Sequence, residues 1–345
     1  MRAAVFSEPG AITVTEVPDP GIVDPGDAVV RVTHACVCGS DLWIYDGTQA
    51  HPAGGRCGHE WMGIVDAVGA EVTGLRPGDT VLAPFAVSDG TCERCRRGLH
   101  TSCDHVGFWG FGPYDGGQGE AVRAPWADRL LVRVPDEVAG DDDVLRSLLP
   151  LTDVMGTGHH AAVSAGVRPG ASVVVVGDGA VGLCAVLASR RLGAGRVVVM
   201  GRRPARVALA RRFGADEVVP ERGAEGIERV RELTGGGAES VCECVGTADA
   251  MEAAIGAAAP GGTVGYVGLP HNEGRVDRWR MYMQNVGLRG GVAPVRAYIP
   301  ELMDDVLAGR LDPAPVLDLE IPLAEVDRGY RAMADREATK AMIRV

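Results

Sequence analysis

The sequence predicts an α/β protein in two parts, one β-rich with long loops and one a doubly wound parallel sheet. Three observations carry that expectation. Between Ser172 and Val267, short β-branched runs alternate with helical patterns, the rhythm of a parallel sheet covered by helices. A glycine-rich turn follows the first of those runs and opens a helical pattern. The first 150 residues lack this rhythm and read instead as short strands between Gly- and Pro-rich turns. The chain has 345 residues, more than one ordinary core holds and comfortable for two.

In chain order, Met1 to Pro9 has no long apolar stretch of a signal peptide and reads as a first strand closed by a turn. Ala28–Val32, Gly63–Val68 and Thr80–Ala83 are expected as strands, with Arg76-Pro77-Gly78-Asp79 as a turn. The texture changes near Asp153. Strand Ser172–Val176 is expected to lead into helix Ala180–Leu192, then strand Arg196–Met200 and helix Pro204–Phe213. Strand Glu217–Val219, helix Glu225–Leu233, strand Ser240–Cys244, helix Ala248–Ala258 and strand Thr263–Val267 continue the alternation. Beyond about residue 292, a helix at Ile299–Leu307 and a strand near Met342–Val345 show no further rhythm. The expected domains are therefore 1–153 with 292–345, and 154–291 between them. No internal repeat or low-complexity tract is evident.

Apolar residues make up 46% and charged residues 23%, as in ordinary water-exposed globular proteins. No apolar run reaches the roughly 18 residues that suggest a membrane span. The net charge of −12 disfavours nucleic acid and anionic membranes as partners. Nine cysteines, three of them bunched, without a secretion signal, imply a reducing, cytoplasmic setting with metal-bound thiolates rather than disulfides.

In Gly177-Asp178-Gly179-Ala180-Val181-Gly182 the glycines permit a tight turn, close approach of a pyrophosphate and close helix packing, with the helix N-terminus facing the phosphates. Nicotinamide enzymes that use NAD ordinarily carry an acid about 20 residues on, at the end of the second strand. Here the stretch is Met200-Gly201-Arg202-Arg203. Gly201 is expected to leave room for a 2′-phosphate, and Arg202 and Arg203 to pair with it, which points to NADP(H). The alternative is that both arginines are solvated charges at a helix start, although positive charge there is unfavourable to the helix dipole unless an anion lies nearby; Glu221, after the next strand, tempers the phosphate reading.

Cys38, His59 and Asp153 offer thiolate, imidazole and carboxylate, the side chains that zinc takes, and three such ligands leave a fourth position open. Asp89, Cys92, Cys95 and Cys103 form a second, local set. With Gly58-His59-Glu60, Arg76-Pro77-Gly78-Asp79-Thr80-Val81, that cluster and the Gly177 turn, the sequence resembles the zinc-dependent medium-chain dehydrogenase/reductase superfamily, alcohol dehydrogenase type, over essentially its whole length. Thr152-Asp153-Val154-Met155-Gly156-Thr157-Gly158 and Gly201-Arg202-Arg203-Pro204 resemble its bacterial NADP-dependent secondary alcohol dehydrogenase branch.

The resemblance implies a GroES-like catalytic domain beside a Rossmann domain. It implies a catalytic zinc on Cys38, His59 and Asp153, with Glu60 behind it as an occasional ligand and Asp41 orienting His59. It implies a structural zinc on Asp89, Cys92, Cys95 and Cys103, where the family pattern has four cysteines. Ser40 resembles the residue that takes the alcohol proton; the usual relay histidine is replaced by Trp43, whose indole cannot accept a proton. His51 and His160 are candidates to continue the relay. Thr157, Val245, Val267, Gly268, Leu269 and Lys340 resemble cofactor contacts. Trp43 and Trp109, the latter in the Phe108–Phe111 loop, are expected to line the substrate pocket, unless that loop is simply packed.

The resulting expectation is hydride transfer between NADP(H) and an alcohol, aldehyde or ketone, by a homodimer or homotetramer. Two alternatives remain: a polyol or sugar-alcohol dehydrogenase, which a polar pocket would favour, and a dinucleotide-binding protein of the same fold without turnover.

Overall fold

Buried β-branched runs set out most of the framework. In the computed structural model, which describes residues 1–270 and 276–345, the chain divides into two units, Met1–Asp153 with Pro294–Val345 and Val154–Ala293. The first unit begins with strands β1 (Arg2–Glu8), β2 (Ala11–Glu16) and β3 (Ala28–Cys36), helix α1 (Asp41–Tyr45), and strands β4 (Glu60–Val68), β5 (Thr80–Ala83) and β6 (Ala86–Val87). Helix α2 (Glu93–Arg96), strands β7 (Gly107–Phe108) and β8 (Ala121–Ala124), helix α3 (Ala127–Leu130), strand β9 (Val132–Arg133) and helix α4 (Asp142–Leu148) follow.

The second unit contains α5 (Val154–Ser164), β10 (Ser172–Val176), α6 (Ala180–Arg191), β11 (Arg196–Met200), α7 (Pro204–Arg212) and β12 (Glu217–Val219). It continues with α8 (Gly223–Thr234), β13 (Ala238–Glu243), α9 (Ala248–Ala257), β14 (Ala258–Tyr266), α10 (Arg278–Gln284) and β15 (Gly287–Gly290). The chain then returns to the first unit through α11 (Val295–Leu307), β16 (Leu319–Pro322), α12 (Val326–Ala334) and β17 (Ala341–Arg344).

In the second unit the six strands run parallel in the order β12-β11-β10-β13-β14-β15. The order reverses between β10 and β13, the kind of switch point where open α/β sheets bind ligands. Val173 to Val176 are all buried because β10 lies in the middle of this sheet. Strand β14 starts earlier than the expected Thr263: it carries Pro260 and Gly261, the latter at φ +78°, with a register irregularity beside them. Those turn residues concealed its first half.

The seven-stranded sheet of the first unit is ordered β16-β17-β3-β4-β5-β9, with β8 also paired to β3. Strand β4 starts three residues before the expected Gly63, at Glu60, and its first four residues are buried. Gly63 is required there: a Cβ would stand 2.2 Å from the Arg31 carbonyl oxygen of β3. Helix α11 begins before the expected Ile299 because Pro300 is accommodated inside it. No helix among the described residues is long and apolar enough to cross a membrane.

Candidate metal centres and dinucleotide turn

Three separate chain segments deliver the first cluster. Cys38 follows β3, His59 immediately precedes β4, and Asp153 ends the short 3-10 turn Leu149–Thr152. Donor atoms of Cys38, His59, Glu60 and Asp153 all lie within 4.8 Å of one another, and all four residues are buried. Asp153 Oδ2 is 3.3 Å from His59 Nε2 and 3.7 Å from Cys38 Sγ. Asp41 ties the cluster together: Oδ2 accepts the Cys38 backbone N–H at 2.9 Å, and Oδ1 lies 3.0 Å from His59 Nδ1. With Nδ1 held by Asp41, Nε2 is the ring nitrogen that faces Asp153.

The electrostatics of this cluster ask for a cation. Burial raises the Cys38 pKa, and the carboxylates of Glu60 and Asp153 raise it further. Burial likewise raises Glu60, against the pull of Lys340. Burial alone would lower His59, but Asp41, Cys38 and Asp153 together carry it well above its ordinary value. A sulfur, a nitrogen and carboxylate oxygens in mutual repulsion are the donor chemistry that zinc satisfies.

Lys340, which resembles a cofactor contact in sequence, is held within the first unit by Glu60. It is 1% exposed, and its Nζ lies 2.7 and 2.6 Å from the two Glu60 oxygens and 3.3 Å from the Val37 carbonyl. The only lysine of the chain therefore neutralises the acid beside the cluster, because a fully buried carboxylate demands a partner.

The second cluster is local. Asp89, Cys92, Cys95 and Cys103 also bring their donor atoms within 4.8 Å. Backbone N–H groups point at the sulfurs: Cys95 to Cys92 at 3.5 Å, and Asp89 and His105 to Cys103 at 3.4 and 3.3 Å. Asp89 Oδ1 accepts from the backbones of Thr91 and Cys92, while Oδ2 is 2.7 Å from His105 Nδ1. Burial opposes the Asp89 charge, but these hydrogen bonds hold its carboxyl below the usual range. His105, which the sequence did not single out, thus fixes the carboxylate that stands where the family pattern has cysteine.

In the second unit, Gly177 at φ +113° makes the turn between β10 and α6. A Cβ on Gly182 would stand 2.1 Å from the Gly177 carbonyl oxygen, whereas one on Gly179 would meet open space. The N-terminus of α6, at Ala180 and Val181, has no side-chain cap, so its first amides are left to a ligand or water. This cradle fits a pyrophosphate. Val245 Cγ2 would stand 2.7 Å from a Gly177 Cβ, and a Gly268 Cβ would stand 2.1 Å from the Gly246 nitrogen, so the ends of β10, β13 and β14 gather here. Val267 N–H donates to the Glu243 carbonyl at 2.9 Å, while Leu269 is exposed. Buried Glu243, another residue not foreseen, accepts the Val245 and Gly246 N–H groups at 2.7 Å each. Thr157 is half-buried on α5.

The expected vacancy at Gly201 is a correction. The space above it is filled by Asp178, whose Oδ2 accepts the Arg202 and Arg203 backbone N–H groups at 2.9 and 3.1 Å.

Around the first cluster, Ser40 Oγ is 3.5 Å from His59 Nε2, and Trp43 is half-buried on α1. Trp109 does not line a pocket. It is 0% exposed, donates Nε1–H to the Pro84 carbonyl at 2.9 Å and packs edge-on against Trp61 at 5.1 Å. Of the loop's other aromatics, Phe108 is exposed and stacks on Phe85, and Phe111 is partly buried. The His51 ring packs between Phe6 and Phe111, and His160 Nε2 lies 3.5 Å from Ser164 Oγ on its own helix.

Comparison with known proteins agrees over the whole chain. Residues 24–136 match the model of the alcohol dehydrogenase GroES-like domain, and residues 180–308 that of the zinc-binding dehydrogenase. Zinc-type alcohol dehydrogenase B of Aspergillus flavus is 33% identical over 100% of this chain and 81% of its own length. An uncharacterised zinc-type alcohol dehydrogenase-like protein of Bacillus subtilis is 32% identical over 96% of both chains. Among solved structures, alcohol dehydrogenase TADH from Thermus sp. ATN1 superposes with a TM-score of 0.91 at 33% identity, covering 100% of each chain.

Proposed function

Because the chain belongs to the zinc-dependent medium-chain dehydrogenase/reductase superfamily, as an oxidoreductase of the zinc-type alcohol dehydrogenase family, we propose that it interconverts an alcohol with an aldehyde or ketone using NADP(H). The observation that carries this reading is the convergence of Cys38, His59 and Asp153 in a buried, anion-rich cluster. Bound there, zinc supplies Lewis acidity, and a nicotinamide cofactor supplies the capacity to take or give a hydride.

The chain's own residues do the rest. Asp41 holds the His59 tautomer that leaves Nε2 free to coordinate. Lys340 keeps Glu60 charge-compensated beside the ligands. Ser40 Oγ, against His59 Nε2, receives the substrate proton. Trp43 cannot carry it onward, so water or another side chain takes it from Ser40. Gly177, Gly179 and Gly182 admit the pyrophosphate to the α6 N-terminus. Arg202 and Arg203 favour a 2′-phosphate. Asp89, Cys92, Cys95 and Cys103 would hold a second, structural zinc.

Metal analysis combined with a cofactor-oxidation assay over aldehydes, ketones and polyols tests the proposal. Bound zinc with turnover of simple carbonyls is expected. Cofactor binding without turnover on any carbonyl would sink it in favour of a non-catalytic dinucleotide-binding protein.

A further inference from the structure

In a glycine-rich dinucleotide turn the glycines meet the steric demands, and the residue between the first two has no fixed role. Here that residue is Asp178, and it is 8% exposed despite lying on a turn. Its Oδ2 accepts two backbone N–H groups from the end of β11, those of Arg202 and Arg203. Its Oδ1 lies 4.0 Å from Arg206 Nη1 on α7. A Cβ on Gly201 would stand 2.6 Å from Asp178 Cβ and 3.1 Å from Oδ2.

Gly201 and Asp178 are therefore a matched pair. The strand end gives up its side chain, and a carboxylate from the neighbouring turn takes the space. The end of this strand is where a carboxylate ordinarily reaches the adenosine ribose. So the acid is not absent from this site; it arrives from β10 instead of β11.

We infer that Asp178 is a cofactor-specificity residue: its negative charge, set within the loop that carries Arg202 and Arg203, limits the preference for a 2′-phosphorylated nicotinamide cofactor and keeps the unphosphorylated one usable. A 2′-phosphate brings negative charge toward both the arginines and this carboxylate, and the two effects oppose each other. A ribose 2′-hydroxyl is instead a donor that the carboxylate can accept. Arg206 screens Oδ1 and so moderates the repulsion. The inference rests on the NADP(H) reading for the direction of the wild-type preference only.

Asp178→Asn is the informative variant, because its amide oxygen can still accept both backbone N–H groups while the charge is gone. The zinc-loaded wild-type and variant proteins are titrated with NADPH and with NADH by fluorescence, which reads dissociation constants without turnover. The NADPH-to-NADH affinity ratio is expected to rise about tenfold, the effect of one charge removed close to a phosphate in a part-solvated site. Raising the salt concentration is expected to shrink that rise. A purely structural brace would weaken both cofactors in parallel, and a ratio unmoved in Asp178→Asn overturns the inference. Arg206→Met gives a second reading that does not depend on Asp178→Asn folding: unmasking Oδ1 is expected to lower the ratio, and an unchanged or raised ratio counts against the inference. The wild-type titration judges the other reading separately. Tighter NADH than NADPH there would refute the NADP(H) preference while leaving the Asp178 shift to be seen.

Discussion

The two metal-ligand clusters of the first unit use similar donors and are built in opposite ways. Cys38, His59 and Asp153 come from segments far apart in sequence and are positioned by buried side chains, Asp41 and the Glu60–Lys340 pair. Asp89, Cys92, Cys95 and Cys103 come from one loop, and backbone N–H groups hold their sulfurs. The first cluster needs the folded sheet before it can exist, and it carries more negative charge than its one lysine balances. The second is a local set of four held within its own loop. The difference fits the two proposed roles: a charge-strained site in a rigid frame, whose fourth donor Glu60 is taken up by Lys340, would suit a reacting oxygen, and a local set held by backbone N–H groups would suit a staple.

Removing one ligand from each cluster is the strongest way to break that comparison. Asp153→Ala and Cys95→Ser should each lower the zinc content from about two per chain to about one. Their consequences should diverge. Asp153→Ala should lower kcat by about a thousandfold or more, since Lewis acidity contributes several kcal/mol to the barrier, with little change in thermal stability. Cys95→Ser should leave the remaining zinc catalytic but lower the melting temperature and open the 89–105 loop to protease. Metal analysis, kinetics and limited proteolysis on the same preparations check it. Near-normal turnover by Asp153→Ala would reverse the assignment.

The same contrast explains what the sequence could disclose. The bunched cysteines were legible from spacing, Asp89 joined them only through the family resemblance, and the parallel sheet was legible from β-branched runs that stay buried on both faces. The ligand triad needed the family resemblance, because nothing in sequence distance brings residues 38, 59 and 153 together. The misread residues failed for one reason, that their roles are set by distant partners. Trp109 looked like a pocket wall until Trp61 and the Pro84 carbonyl enclosed it. Lys340 gave no sign in sequence of its ion-pair partner Glu60, 280 positions away. Gly201 looked like empty space until Asp178 filled it. Glu243 and His105 gave no signal, since a buried carboxylate and an exposed histidine have no spacing signature.

The next largest effect should come from the frame of the first cluster. Lys340→Met leaves Glu60 buried at 0% exposure without its counter-charge. Loss of one partner from a buried pair typically costs about 3–5 kcal/mol. The urea midpoint should fall accordingly, and Glu60→Gln in the same chain should recover most of it, because a neutral pair leaves no stranded charge. If the double variant were no more stable than Lys340→Met alone, the pair would not be the reason for the lysine's burial.

Strand β17 starts just after Lys340 and ends at Arg344, which offers an exposed counterpart to the buried pair. Arg344 meets Asp142 at 2.5 Å and Glu320 at 2.9 Å, with the Asp142 side chain 57% exposed and that of Glu320 41% exposed. His34 and Arg146 face the same cluster. The Arg344 hydrogen bonds pull Asp142 down to about 2 and lower Glu320 as well. A carboxyl depressed on folding adds stability above its unfolded pKa, about 4, and that stability is lost as pH falls through the folded value. Arg344→Met should therefore lower stability near neutral pH by only about 0.2–1 kcal/mol, the range of exposed pairs. It should also flatten the decline between about pH 4 and about pH 2. Thermal melts across that window, for wild type and variant, measure both. A variant whose acid decline is as steep as wild type would show that solvent already screens this cluster, and a loss as large as that of Lys340→Met would show that exposure does not separate the two ends of the strand.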